Sequence, residues 1–179
     1  PSSSRIWHAA RGAITLRVSV QGKEAHVGQA DRGENAFQRM VHIAQPLLDY
    51  ADRMRSRTTS IPMHPDDGRG SMIVVGGMSS SGANFNVVPG EAWFSVDSRF
   101  NPEEDLEAEL ATMQRIIREA AAEVDASATV DVLQFQPPAS THEAHPAGVT
   151  LGSCVTEVRG TPARFEMCAG VLDTRWYAQ

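Results

Sequence analysis

The chain has 179 residues, of which 41% are hydrophobic and 21% charged, and its formal net charge is −6. That length suits one ordinary domain, or one domain and part of another, with apolar residues enough for a real core. No apolar run approaches the roughly 18 residues of a membrane span, the acidic balance argues against a nucleic-acid surface, and two cysteines are too few for a disulfide scaffold.

Residues Ala13–Gln21 alternate Ile14, Leu16, Val18 and Val20 with Thr15, Arg17, Ser19 and Gln21. That period of two predicts a half-buried strand. Gly22-Lys23 ends it, and residues 24–34 read as a loop. Asn35 caps a helix whose apolar stripe is Phe37, Met40, Val41, Ala44, Leu48, Ala51 and Met54. Pro46 falls inside this pattern and predicts a kink or a split. Residues 56–70 form a loop, Ser71–Met78 a second strand, and residues 79–84 a turn. A third strand runs from about Asn86 to Arg99, with Pro89-Gly90 suggesting a bulge or an edge position near its start. Asn101, Pro102 and Glu104 read as cap, first helical residue and capping-box partner of a second helix. Its stripe is Leu106, Leu110, Met113, Ile117, Ala120 and Val124. A fourth strand covers about Ala128–Phe135.

Strand, helix, strand, strand, helix, strand is the split βαβ order of an α+β, ferredoxin-like βαββαβ sandwich. It has a four-stranded antiparallel sheet with both helices on one face. Gln136-Pro137-Pro138-Ala139 marks a boundary. Behind it a helix at Pro146–Arg159, ended by Gly160, and a short strand at Ala163–Cys168 are predicted. A lone helix–strand unit cannot bury itself. The expected organisation is a connector over residues 1–12, the sandwich over 13–137, and part of another α/β domain over 138–179.

Of the six histidines, His8, His26, His42, His64, His142 and His145, none pairs as H-x-D or H-E-x-x-H. His142 and His145 form an H-x-x-H pair that reads as a solvated loop. Cys154 and Cys168 sit in apolar patterns, which favours buried thiols; two thiols also fit a reducing cytoplasm. No glycine-rich phosphate loop and no G-x-S-x-G elbow occurs. Taken by themselves, these residues form no complete catalytic site.

Three local signals stand out: Gly22-Lys23-Glu24-Ala25-His26 followed by Gly33-x-Asn35-Ala36; Asn86-Val87-Val88-Pro89-Gly90 followed by Asp97-Ser98-Arg99; and Gly170-Val171-Leu172-Asp173-Thr174-Arg175-Trp176. In order and spacing they resemble the M20 family of metal-dependent hydrolases, which includes deacylases of acetylornithine and succinyl-diaminopimelate. The resemblance covers nearly the whole chain. It implies the lid, or dimerisation, domain of such an enzyme together with the first returning piece of its catalytic domain. The parent would be a cytoplasmic homodimer with zinc or cobalt, two ions, cleaving the amide of a small N-acyl amino acid, without nucleic-acid or membrane partners. The metal ligands would lie outside this chain, which would bind no metal and be inactive alone.

By the same resemblance His26 reaches into the partner's active site, where it polarises the scissile carbonyl. Arg99 grips the substrate carboxylate, Asn86 lies near the substrate, and Asp173 and Arg175 frame the site. The alternatives are a surface-loop histidine, a strand arginine paired with Asp97, a turn asparagine, and for Asp173 an ion pair with Arg175 or a helix cap. Val171 and Leu172 replace the family's usual glycine and threonine, so the acyl group and amino acid stay open. The rival from another class is a non-catalytic ferredoxin-like module for dimerisation or small-ligand binding.

Overall fold

In the computed structural model, residues 4–64 and 68–173 are described. The strands are β1 (Arg5–Ala10), β2 (Gly12–Gln21), β3 (Ala25–His26), β4 (Met72–Ser81), β5 (Val87–Val88), β6 (Glu91–Phe100), β7 (Ala128–Gln136), β8 (Ala139–Ser140) and β9 (Arg164–Cys168). The helices are α1 (Ala36–Met54), α2 (Leu106–Glu123) and α3 (Pro146–Arg159), with a 3-10 helix at Val27–Arg32.

The expected sandwich is present. Its sheet runs β4-β6-β2-β7, antiparallel throughout. Ile14, Leu16, Val18 and Val20 of β2 and Ala92, Phe94, Val96 and Phe100 of β6 face α1 and α2 and are buried. From the helices, Met40, Ile43, Leu47 and Met54 meet Met113 and Ile117 in the same core. Each such side chain contributes about 1.5–3 kcal/mol by leaving water. The other sheet face carries Thr15, Arg17 and Ser19 beside Trp93, Ser95, Asp97 and Arg99. There the Arg17 guanidinium stacks 4.3 Å from the Trp93 ring centroid.

A second sheet, β8-β1-β9, lies beyond Arg11 and Pro137-Pro138, with β1 parallel to β9 and antiparallel to β8. The residues of β1 had been expected as a connector. Their strand forms because β9 and β8 supply its pairing, partners more than 120 residues away that local pattern cannot show.

Several local expectations need correction. Pro46 does not split α1; the carbonyl four residues back belongs to exposed His42, where water can take it up. The helix α2 begins at Leu106, capped by the Asp105 side chain on Glu107 N–H and Ala108 N–H, 3.0 and 3.1 Å. Asn101 cannot cap it. Its amide is buried, donates 3.0 Å bonds to the carbonyls of Arg57 and Arg69 and accepts from Arg11. The Glu104 reach-back to Asn101 N–H, 2.8 Å, does form, but it closes a turn.

The strand β4 continues to Ser81 through a register shift between Val75 and Ser79, where Gly76 takes φ +79°. Pro89-Gly90 cuts the third strand in two. The part before it pairs with β3, and the part after it is a central strand, not an edge. Cys154 is exposed, because α3 buries none of its residues, and Cys168, on β9, is half-buried.

Glu103 ties the α2 approach to the residues after α1. Its Oε1 accepts from Thr59 Oγ1 at 2.8 Å, Ser60 N–H at 2.9 Å and Ser60 Oγ at 3.0 Å. Partial burial alone would raise its pKa, but these donors outweigh that and hold the carboxyl below its ordinary value. A depressed folded-state pKa contributes stability above the ordinary carboxylate range and loses it as pH falls through the folded value. Glu103→Gln is therefore expected to lower the melting temperature at pH 7. The gap from wild type should close in melting curves taken at progressively more acid pH, and a gap that stays constant would rule the account out.

Candidate functional site

The histidine loop is built by close backbone approach. After β2, Gly22 N–H donates to Gly90 O at 2.9 Å, and Lys23 and Glu34 exchange bonds of 2.8 and 2.9 Å. A Cβ at Gly22 would stand 2.1 Å from Glu34 O, and one at Gly33 would stand 2.9 Å from Ala25 Cβ and 3.0 Å from Val88 Cγ1. Both glycines are thus required by the packing of this loop onto β5. The pairing of His26 with Val87 and the bond from Val27 N–H to Asn86 O, 2.8 Å, then set His26 beside Asn86.

Both side chains are exposed. His26 Nδ1 accepts from Gly28 N–H at 3.1 Å. A neutral imidazole whose Nδ1 accepts carries its proton on Nε2. The Asn86 amide lies 3.3 Å from Nε2. The amide atom nearest Nε2 is Nδ2; with the proton on Nε2, a half-turn of the amide presents Oδ1 as the matching acceptor. The Gly28 bond favours the tautomer that carries its N–H on Nε2, beside Asn86. Asn35, as expected, caps α1, accepting from Phe37 N–H and Gln38 N–H at 3.0 and 3.2 Å.

Arg99 stands on the open sheet face opposite Ala13 and Met72. Its Nη1 donates to Asp97 Oδ1 at 2.9 Å and to Ser98 O at 2.8 Å. Asp97 is itself fixed by Thr15 Oγ1, at 2.7 Å. Both bonds use Nη1, which leaves the Nη2 and Nε edge to meet a carboxylate in parallel hydrogen bonds. Sequence pattern anticipated the Asp97 partner; Thr15 is missed there because only strand register places it next to Asp97.

These two clusters do not meet. The His26 loop joins the sheet at the Gln21–Glu91 end, and Arg99 lies eight residues along β6. At about 3.3 Å per residue that is roughly 26 Å. Asp173 is exposed just after β9, and Arg175 lies outside the described residues. His142 and His145 accept from backbone N–H groups of Ala144 and Ala147 at 3.1 and 3.3 Å, the second capping α3. Among the described residues no three His, Cys, Asp or Glu gather to hold a metal ion, and no helix is long and apolar enough to cross a membrane.

The family model of the peptidase dimerisation domain, from the M20 peptidases, matches residues 8–125. The chain belongs to that family. Among solved structures it resembles aminopeptidase PepT from Bacillus cereus, with TM-score 0.70 and 20% identity over 96% of this chain and 42% of that one. A tripeptidase from Staphylococcus aureus gives 0.72 and 17% over 96% and 42%. A hydantoinase/carbamoylase-family amidase from Burkholderia multivorans gives 0.60 and 24% over 96% and 38%. At these identities the likeness is one of fold, and the chain spans less than half the length of each. No curated protein matches the sequence.

The tautomer is directly measurable. Long-range ¹H–¹⁵N spectra near neutral pH are expected to show the neutral His26 ring protonated at Nε2, with Nδ1 in the unprotonated range. A ring protonated at Nδ1 would contradict the Gly28 bond and the donor assignment with it.

Proposed function

We propose that this member of the dimerisation-domain family is the lid of a cytoplasmic, metal-dependent hydrolase that cleaves the amide of an N-acyl amino acid or a similar carboxylate-bearing substrate. On this reading residues 13–137 are the lid and 138–179 part of the catalytic domain. On the same reading the zinc or cobalt is held by other residues of the parent. The chain alone is then inactive.

The observation that carries the reading is the separation of the two clusters. In an N-acyl amino acid the scissile carbonyl and the carboxylate lie within about two residue lengths, roughly 7 Å. His26 and Arg99 of one copy stand toward opposite ends of β6, whose Glu91–Arg99 stretch spans roughly 26 Å, too far to serve the same small molecule. Two copies can. Arg99 stands at the sheet end next to β1 and β8, facing its own catalytic domain; His26 and Asn86 stand at the far end and serve the partner. There the Nε2–H turns from the Asn86 amide to the carbonyl oxygen as negative charge develops on it. Arg99 fixes the substrate by its carboxylate, with Asp173 and Arg175 framing that end.

The pairing surface is the α1–β4 side. Phe37, Val41 and Leu48 on α1 and Met72, Val74 and Met78 on the edge strand β4 are all at least 43% exposed. A homodimer would cover them and give β4 a second strand partner.

The test uses the full-length parent. His26→Ala is expected to lower kcat roughly 10²-fold with KM little changed, as loss of an oxyanion donor does. Arg99→Ala should chiefly raise KM for carboxylate substrates. At substrate well below the raised KM, where both variants are slow, mixing them in equal amounts should restore about a quarter of wild-type activity, because each heterodimer keeps one intact composite site. No recovery on mixing would place the residues in cis or outside the site. A parent that hydrolyses no N-acyl amino acid with either metal would favour the non-catalytic module.

A further inference from the structure

Arg11 is the single residue between β1 and β2, at the point where the chain passes from one sheet to the other. It is 1% exposed. Its Nε donates to Asn101 Oδ1 at 3.2 Å; its Nη2 donates to Gly70 O at 2.9 Å and to Gly68 O. The Met63 sulfur lies 3.9 Å from Nη2. Asn101 takes the carbonyls of Arg57 and Arg69. Between them, these two side chains take carbonyl groups from both arms of the segment that follows α1.

Those arms are themselves joined: Thr59 N–H donates to Arg69 O at 3.2 Å and Ser71 N–H to Arg57 O at 3.1 Å. Farther along the first arm, Met63 is buried with Ala9 of β1 and Met167 of β9. Met167 N–H donates to Pro62 O at 2.7 Å. One arm therefore grips the three-stranded sheet through Met63 and Pro62, and the four-stranded sheet through Thr59, Glu103 and Asn101. Arg11 sits between the two grips.

A buried guanidinium is costly, and an apolar side chain of similar length would fill the space without that cost. The reason for arginine is its Nε–Nη2 edge, which closes on the Asn101 amide oxygen and two backbone carbonyls at once; among the described residues Nη1 has no partner. Two short covalent crossings, Arg11 and Pro137-Pro138, do not by themselves fix an angle between the sheets. The noncovalent clasp does.

We propose that Arg11 is a positioning residue: by binding both arms of the Met63 clasp it sets the angle between the two sheets, and so sets where Arg99 presents its guanidinium. Arg99 lies opposite Ala13, two residues after Arg11, so a rotation about this crossing moves it relative to the three-stranded sheet. The kinetic consequence rests on the reading of Arg99 given above; the clasp itself does not.

The experiment uses the full-length protein with spin labels at Arg118→Cys on α2 and Val158→Cys on α3, both exposed, in a Cys154→Ser, Cys168→Ser background. Labelled subunits are diluted with unlabelled ones so that only distances within a subunit are read. The parent should give one narrow distance distribution. Arg11→Lys, and separately Met63→Ala, should broaden it while leaving the far-ultraviolet circular dichroism intact. Both should raise KM for a carboxylate-bearing amide about tenfold, with a smaller change in kcat. Met63→Ala keeps the Arg11 bonds to Asn101, Gly68 and Gly70 and loses only the contact to the Met63 sulfur, so it still reads the clasp if the arginine variant folds poorly. Unchanged distributions in both variants would overturn the proposal. Broadened distributions with KM unmoved would overturn the link to Arg99. A wild-type protein without hydrolase activity would count against the functional reading alone, since the distances still decide the clasp.

Discussion

The ten-pair register between β2 and β6, from Gly12 opposite Phe100 to Gln21 opposite Glu91, is the constraint on which the remaining features depend. It places Ile14, Leu16, Val18 and Val20 under the helices with Phe94 and Val96. The same alternation puts Thr15 and Arg17 on the open face with Asp97 and Arg99. A slip of one residue would exchange the two sets and expose the core. The register also fixes a length: one end carries the glycine-packed histidine loop, the other the arginine and the crossing to the second sheet. Chemistry at the two ends is separated by the same hydrogen bonds that close the core.

Elements whose ends are marked by local chemistry were legible in the sequence. The third helix runs from Pro146 to Arg159 as its pattern implied, because Pro146 begins it and Gly160, at φ +67°, ends it. The first helix follows its Asn35 cap for the same reason. What failed was decided by partners distant in sequence. The Asn101-Pro102-Glu104 triplet has the composition of a helix start. Yet Arg11 and the carbonyls of Arg57 and Arg69 claim the Asn101 amide, and the helix waits for Asp105. The run from Asn86 to Arg99 reads as one strand, but Val87 and Val88 find their partners in Ala25 and His26. Cys154 sits in an apolar pattern on a helix none of whose residues is buried, so pattern and burial part company there.

The candidate site divides in the same way. The motifs named His26, Asn86 and Arg99, yet nothing in their spacing said that two of them meet and the third stands apart. The Asn86 carbonyl bond to Val27 and the Asp97 bond to Thr15 both come from pairing between strands. Position 11 carries no local signal beyond a charged residue between two apolar strands. Its importance emerges only when the carbonyls of residues 57, 68, 69 and 70 are asked where their donors are.

Buried polar groups concentrate near that crossing. Besides Arg11 and Asn101, the sandwich buries Glu109, which binds the Tyr50 hydroxyl and the Arg57 guanidinium. Burial and the adjacent Glu109 carboxylate push the Tyr50 phenol well above its ordinary value, so it remains a neutral donor. Arg57 also passes its backbone carbonyl to Asn101 and Ser71, so the Glu109 network and the Arg11 clasp share a residue. Apolar side chains would fill this volume at lower desolvation cost, but they would not distinguish one angle between the sheets from its neighbours. Directional donors and acceptors do, since a small rotation strands several buried groups at once. The histidine end has no such network: its side chains are exposed and its order comes from glycine packing and two short strands. On the proposed reading, the arginine end, which faces the chain's own catalytic domain, is held from within the chain, and the histidine end, which faces a second copy, is preshaped and left open.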